Sequence, residues 1–206
     1  MKKGICFIVG AGDFTSRHLN ISSGDLLLAA DGGYDALHQQ GYTPHILLGD
    51  MDSLGSLPRY VPRIVFPKKK NDTDVSLALK YGRKKGFERF ALYGISGGRP
   101  DHFYANLQLM AAYADMGARV RAVIPEGEIY ALRNGVLRLD EPKETVVSIF
   151  CPSGTAKGVC TKGLMYPLRG AELTSAFPLG VSNEVADHQA SILVENGTLL
   201  VFVMKQ

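Results

Sequence analysis

The sequence predicts an α/β N-terminal domain with a mainly parallel, Rossmann-like sheet, followed by an all-β C-terminal domain, a sandwich. In the first part of the chain, short apolar runs alternate with segments of helical periodicity, as in doubly wound α/β folds. Beyond about residue 125, short strand-like segments replace the helical ones. The 206 residues have room for two domains, which we place at 1–125 and 126–206.

Six apolar runs in the first part are predicted to be buried strands, because they are almost continuously hydrophobic. They cover residues 5–9, 26–30, 46–48, 63–66, 90–93 and 119–124. Helical spacing of apolar residues predicts helices over 73–85 and 101–116, with Gly117 placed to end the second.

Five strands are predicted in the second part, and two Asn-Gly pairs stand between them. The strands cover 129–132, 136–139, 146–150, 190–194 and 199–203. Because Asn-Gly favours two-residue hairpin turns, Asn134-Gly135 and Asn196-Gly197 are predicted to be such turns.

The composition limits the possible functions and locations. With 23 basic and 20 acidic residues the formal charge is +3, too small to indicate binding to nucleic acid or to an anionic membrane. The three cysteines form no C-x-x-C pair, so neither a zinc site nor a disulfide framework is expected. The apolar run after Lys3 is short and is not followed by a small-residue cleavage site, so no secretory signal is expected. No apolar run reaches membrane-spanning length, and we expect a cytoplasmic protein.

Acids and glycines follow four of the predicted strands. These segments are 10–13, 31–33, 49–53 and 94–101, and Asp72 and Asp74 stand at the start of a helix. In an open α/β sheet, ligands bind beyond the carboxyl ends of the strands, so these loops are expected to share one crevice.

Gathered carboxylates repel one another unless a cation neutralises them, and Mg²⁺ prefers such oxygen ligands. Asp50 and Asp52 are two residues apart on one turn, so both can reach one ion. A single aspartate beside a glycine is more often a turn former or helix cap. Four such loops in one chain favour a metal site.

A glycine-rich stretch, Ser96-Gly97-Gly98-Arg99, leads into the helix at Asp101. Bare amides at a helix N-terminus bind anions, and the Arg99 guanidinium can grip a phosphate. There is no P-loop, and Gly10-Ala11-Gly12 is only half of a dinucleotide fingerprint. The lysines at 68–70 are an ordinary solvated run or a phosphate contact.

The ordered motifs resemble those of the thiamine pyrophosphokinase family. They are Asp31-Gly32-Gly33, Gly49-Asp50-Met51-Asp52-Ser53, Asp72-Thr73-Asp74, Gly97-Gly98-Arg99-Pro100-Asp101-His102, Gly163-Leu164-Met165-Tyr166-Pro167-Leu168 and Gly180-Val181-Ser182-Asn183-Glu184. The resemblance implies transfer of pyrophosphate from ATP to the thiamine hydroxyl, giving thiamine diphosphate and AMP. It also implies a homodimer whose active sites lie between the α/β domain of one subunit and the β domain of the other.

The resemblance also implies roles for individual residues. The acids Asp50, Asp52, Asp74 and Asp101 are expected to be catalytic, holding Mg²⁺ and the reacting phosphates, with Asp50, Asp52 and Asp74 as the metal ligands. The residues expected to contact ATP are Asp31, Gly32, Gly33, Ser96, Gly97, Gly98 and Arg99. Ser182 and Asn183 are expected to contact thiamine. The role of Asp72 stays open, because many relatives have their acid two or three places before the Thr-Asp pair.

Three other functions remain as alternatives. A metal-dependent nucleotide phosphohydrolase would use similar carboxylates, and a nucleotide-binding sensor would bind ATP without turnover. A nicotinamide-dependent oxidoreductase would have Asp31 well placed, but its glycine fingerprint is incomplete.

Overall fold

The computed structural model describes residues 4–51, 54, 59–67 and 71–205. The chain divides into two compact units. The first comprises Met1–Asn106 and Ala122–Pro125, and the second comprises Leu107–Arg121 and Glu126–Gln206. The division passes through a helix and a strand as well as the loop after residue 125, and the simple boundary at 125 stays a prediction.

The first unit contains a parallel sheet. Its strands are β1 (Cys6–Val9), β2 (Leu26–Ala30), β3 (Ile46–Gly49), β4 (Arg63–Val65) and β5 (Arg89–Tyr93). Their order is β5-β1-β2-β3-β4, and all four pairings are parallel. The strand β6 (Arg119–Ile124) contributes its last three residues to this unit. The predicted parallel sheet is confirmed, with strand ends within one residue of those predicted. The predicted burial of β4 is wrong, because Arg63 and Val65 of this last strand in the order are exposed.

The strand order reverses at β1. From β1 the sheet runs through β2, β3 and β4 on one side and to β5 on the other. Such a switch point opens a crevice at the carboxyl ends of the strands, where ligands bind. Buried residues on these strands, including Phe7, Leu27, Leu47 and Tyr93, fix the sheet in an apolar core.

Three helices are present in the described residues: α1 (Gly33–Gln39), α2 (Asp74–Lys84) and α3 (Pro100–Asp115). The start of α2 is capped by Thr73, whose Oγ1 accepts a hydrogen bond of 3.1 Å from the Ser76 N–H. Its apolar face is buried, as its periodicity predicts. Among the described residues no helix is both long and apolar enough to cross a membrane.

The second unit is built on antiparallel strands. These are β7 (Gly127–Leu139), β8 (Val146–Phe150), β9 (Thr155–Lys162), β10 (Ala171–Thr174), β11 (Gly180–Glu184) and β12 (Ala190–Met204). Strand β12 pairs with β7, β8 and β9, and β10 and β11 pair with β9 and β8. The predicted β-strand character of the chain after residue 126 is confirmed in the described residues, while the arrangement as a sandwich stays a prediction.

The two predicted Asn-Gly hairpins are wrong. Asn134 lies within β7 and Gly197 within β12, and both strands continue past these positions. The two pairs lie opposite one another at a register shift in the β7–β12 ladder, where the Gly197 N–H donates to Asn134 Oδ1 at 2.8 Å. Asn134 and Gly197 have positive φ values of 41° and 118°, as residues in turns often do. Here these two residues form a β-bulge within continuous strands instead of a turn.

Candidate functional site

Several chain segments meet at Gly10, directly after β1. A Cβ on Gly10 would stand 2.7 Å from the Gly94 carbonyl oxygen and 3.2 Å from Val75 Cγ2. A Cβ on Gly33 would stand 2.9 Å from the Gly10 carbonyl oxygen. The ends of β1 and β5 and the starts of α1 and α2 therefore come together at one point, and Asp74 is the residue next to Val75.

Asp31 and Asp50 follow the neighbouring strands β2 and β3. The Asp31 N–H donates to the Leu48 carbonyl oxygen at 2.7 Å. A Cβ on Gly49 would stand 3.0 Å from the Asp31 Cβ, so the glycine leaves room for the Asp31 side chain immediately before Asp50. Asp31 has a φ of 47°, and such backbone strain is often found at functional sites.

The loop from β5 to α3 packs on the loop after β1. The Gly12 N–H donates to the Gly94 carbonyl oxygen and the Asp13 N–H to that of Ser96, both at 2.8 Å. A Cβ on Gly97 would stand 2.3 Å from Asp13 Cγ, so this carboxylate lies against the glycine loop. Asp13 stands in one of the four predicted acidic loops, but it was not among the predicted site residues.

Two further side chains shape the same loop. Asn106 is buried in α3, and its Nδ2 donates to the Ile95 carbonyl oxygen at 3.1 Å. The Ser96 side chain is buried, and its Oγ has no hydrogen-bond partner among the described residues. A buried hydroxyl without a partner is costly, so a ligand that bonds to it would gain affinity.

Arg99 and Asp101 form an exposed ion pair at the start of α3. Arg99 donates from Nε to Oδ1 (3.1 Å) and from Nη2 to Oδ2 (2.5 Å). The hydrogen bond from Arg99 holds the pKa of Asp101 below its ordinary value. The predicted phosphate-binding arginine is therefore oriented by the predicted catalytic acid.

Asp72 has a structural role beside α2. Its Oδ1 accepts from Ser76 Oγ (2.9 Å) and from Lys80 Nζ (2.6 Å). These bonds anchor the start of α2, next to Asp74.

Some predicted residues lie outside the described part of the chain: Asp52 of the acid pair and the lysines at 68–70. Within the ranges that the structure describes, no three His, Cys, Asp or Glu side chains are grouped to hold a metal ion. Magnesium in proteins often has only one or two carboxylate ligands, its other ligands being water and phosphate oxygens. Half-buried acids such as Asp31, Asp50 and Asp74 match that donor chemistry.

In the second unit, the predicted residues Ser182 and Asn183 differ in exposure. Ser182 is exposed at a register shift in β11, with a φ of 56°. Asn183 is 5% exposed, and its amide bonds to the main chain of Tyr166. The Tyr166 side chain is itself 67% exposed.

Two family models match this chain in sequence order. Residues 18–122 match the catalytic domain of thiamin pyrophosphokinase, and residues 135–199 match its vitamin B1 binding domain. The chain belongs to the thiamin pyrophosphokinase family. The predicted family resemblance is confirmed, and with it the assignment of the chain as a pyrophosphokinase.

Individual thiamine pyrophosphokinases are similar along nearly the whole chain. The enzyme of Bacillus subtilis (strain 168) is 26% identical over 183 residues, covering 85% of this chain and 86% of the relative. A crystal structure of thiamine pyrophosphokinase from Bacillus subtilis has a TM-score of 0.87 at 22% identity, covering 99% of this chain and 100% of that one. The Geobacillus thermodenitrificans structure has a TM-score of 0.82 at 23% identity, covering 98% of each chain. These structures share the fold of this chain.

The two thiamin pyrophosphokinase models match different sets of the predicted site residues. The acids and glycines around Gly10 fall in or beside the region matched by the catalytic model. Ser182, Asn183 and Tyr166 fall in the region matched by the vitamin B1 binding model. Tyr166 belongs to the motif of residues 163–168, but it was not predicted to be a site residue, because its exposure depends on contacts that the sequence does not reveal.

Proposed function

We propose that the carboxyl edge of the β1–β5 sheet binds ATP and that its pyrophosphoryl group passes there to the hydroxyl of thiamine, leaving AMP. The supporting observation is the meeting of four chain segments at Gly10, which gathers the loops carrying Asp31, Asp74 and the glycines after Gly94. In-line transfer of this kind depends mainly on positioning and charge neutralisation.

The loop Ser96-Gly97-Gly98-Arg99 is proposed to hold the ATP phosphates. Gly98 is exposed, and a Cβ there would meet nothing within 4 Å, so its backbone is open to a ligand. The start of α3 adds its N-terminal amides, and Arg99 adds a charged fork. Ser96 Oγ supplies a hydroxyl partner. Gly33, whose main chain lies beside Gly10, and its neighbour Gly32 are proposed to flank the nucleotide.

Asp50 and Asp74 are proposed to hold Mg²⁺, with Asp52 as a third ligand. Bound there, Mg²⁺ would neutralise phosphate oxygens during the transfer. The proton of the thiamine hydroxyl also needs an acceptor, and Asp74 and Asp101 are the candidates. The hydrogen bond from Arg99 lowers the pKa of Asp101, which makes Asp101 a weaker base than an ordinary carboxylate and suits it to orienting Arg99.

The second unit is proposed to bind thiamine. The rings of thiamine need an apolar or aromatic surface with a few polar groups. Tyr166 and Met165 are 67% and 52% exposed, and Ser182 is also exposed. Glu184, two residues after Ser182, links the two segments, because its carbonyl oxygen accepts a hydrogen bond from the Met165 N–H. These side chains supply the required surface.

A homodimer is proposed on the same unit. Phe177, Leu179 and Val181 are exposed at alternate positions, by 66%, 50% and 44%. Exposed apolar residues in a row are typical of surfaces that another protein covers. Sedimentation of the purified chain tests this proposal: Phe177→Ser with Leu179→Ser should shift the protein from dimer to monomer. A wild-type chain that is monomeric at micromolar concentration would refute it.

The reaction is tested with ATP labelled at its γ phosphorus, Mg²⁺ and thiamine. We expect label in thiamine diphosphate and unlabelled AMP in equal amounts. Labelled phosphate released without thiamine would support the phosphohydrolase instead. ATP bound but unchanged would support the sensor.

A further inference from the structure

We propose that Asn183 acts on thiamine only through Tyr166, as a positioning residue, whereas its neighbour Ser182 contacts the vitamin directly. The inference rests on the proposed function of the second unit. It changes the role that the family resemblance gave to Asn183, and it makes Tyr166 the side chain that Asn183 serves.

Three hydrogen bonds to the protein's own main chain engage the amide of Asn183. Its Oδ1 accepts from the Tyr166 N–H at 3.0 Å and from the Glu184 N–H at 2.9 Å. Its Nδ2 donates to the Tyr166 carbonyl oxygen at 2.7 Å. The side chain is 5% exposed, so little of it is accessible to a ligand. Asn183 therefore clamps both main-chain groups of one residue.

Tyr166, the residue that Asn183 holds, carries an exposed aromatic ring on a segment whose main chain is fixed by further hydrogen bonds. Before Tyr166, Leu164 forms a β-bridge to Val185, and the Met165 N–H donates to the Glu184 carbonyl oxygen at 2.8 Å. After it, the Leu168 N–H donates to Thr161 Oγ1 at 2.8 Å. A ring held out from a rigid main chain loses little conformational entropy when a ligand stacks on it, which favours binding.

Ser182 has the opposite orientation and its own support. Its N–H donates to Ser148 Oγ on β8 at 3.0 Å, which holds the strand at the irregular position where φ is 56°. Bulges of this kind re-aim a side chain. Ser182 is exposed and Asn183 is buried, so Ser182 is placed to contact thiamine and Asn183 to support the main chain of Tyr166.

A double-mutant cycle on thiamine KM separates the two roles. Tyr166→Ala removes the ring but leaves the main-chain groups that Asn183 binds. We expect Asn183→Ala and Tyr166→Ala each to raise the KM for thiamine about tenfold, and the double variant to be no worse than Tyr166→Ala, because residues that act together are non-additive. The KM for ATP and kcat should change little in all three.

Ser182→Ala provides the matched control. Combined with Tyr166→Ala, its effect on the thiamine KM should multiply, because each side chain makes its own contact. If instead Asn183→Ala multiplies with Tyr166→Ala, Asn183 contacts thiamine itself and the inference is overturned.

Asn183→Asp covers the case in which Asn183→Ala fails to fold. It keeps the acceptor oxygen but sets a second oxygen against the Tyr166 carbonyl, so we expect a raised thiamine KM. A direct contact with the thiazolium cation would give a lowered one and would refute the inference. Absence of thiamine diphosphate formation by the wild-type chain would refute the proposed function, which keeps the two failures distinct.

Discussion

Gly33 lies so close to Val9 that a Cβ on the glycine would stand 2.0 Å from the Val9 carbonyl oxygen. This contact brings the start of α1 against the end of β1, beside Gly10. Gly33→Ala would force the two elements apart, and we expect a loss of about 3 kcal/mol in the free energy of unfolding. Urea unfolding followed by circular dichroism measures it.

Gly135→Ala is the control for that substitution. The nearest atom to its Cβ would be the Arg133 carbonyl oxygen at 3.4 Å, an ordinary contact. It should change stability by less than about 1 kcal/mol. Equal losses for the two alanines would show that the contact between Gly33 and Val9 is not tight.

The bulge between β7 and β12 depends on Asn134. Its Oδ1 accepts from the Gly197 N–H, and its φ of 41° suits asparagine better than most residues. Asn134→Ala should therefore cost about 2 kcal/mol of unfolding free energy, from the lost bond and the added strain. Asn134→Gly relieves the strain alone and should lose less. A glycine variant less stable than the alanine variant would contradict this account.

Burial raises the pKa of the Cys6 thiol to about 12. A raised pKa contributes stability that is complete below the unfolded-state pKa of about 8.5, and this stability is lost as the pH rises towards the folded value. At pH 8 Cys6 should not react with a thiol reagent until the protein unfolds, whereas the partly exposed Cys160 should. A Cys151→Ser/Cys160→Ser double variant, in which Cys6 is the one remaining cysteine, would contradict this prediction if it kept a fast-reacting thiol in the native state.

The pKa of Asp101 should depend on Arg99. In Arg99→Gln the hydrogen bonds from the guanidinium are lost, so the pKa of Asp101 should rise towards its ordinary value. A lowered pKa stabilises the fold above the unfolded-state value, and this contribution is lost as the pH falls through the folded value. Carbon-detected NMR titration of the Asp101 carboxyl measures the shift, with Arg138→Gln as control. An unchanged Asp101 pKa in Arg99→Gln would refute the pairing.

The carboxyl edge of the sheet could be predicted from sequence because parallel strands end together. Buried strands with acids after them place Asp31 and Asp50 side by side without any knowledge of distant contacts. The helix α1 was not predicted, since seven residues beginning with Gly33 show little periodicity.

Positions whose conformation depends on a distant partner were beyond that reasoning. Asn134 has the local preferences of a turn, but its ladder partners lie about 60 residues later in β12. The role of Asn183 likewise depends on Tyr166, in a segment that the sequence alone does not bring near it.

The central claim is that acids at this edge carry out the transfer, and Asp50→Asn tests it most directly. Asp140→Asn, which removes an exposed carboxylate from the second unit, is the matched control. We predict that Asp50→Asn lowers kcat for thiamine diphosphate formation by about 10²-fold or more, with an unchanged melting temperature, while the control keeps full activity. An Asp50→Asn enzyme as active as the control would contradict the claim.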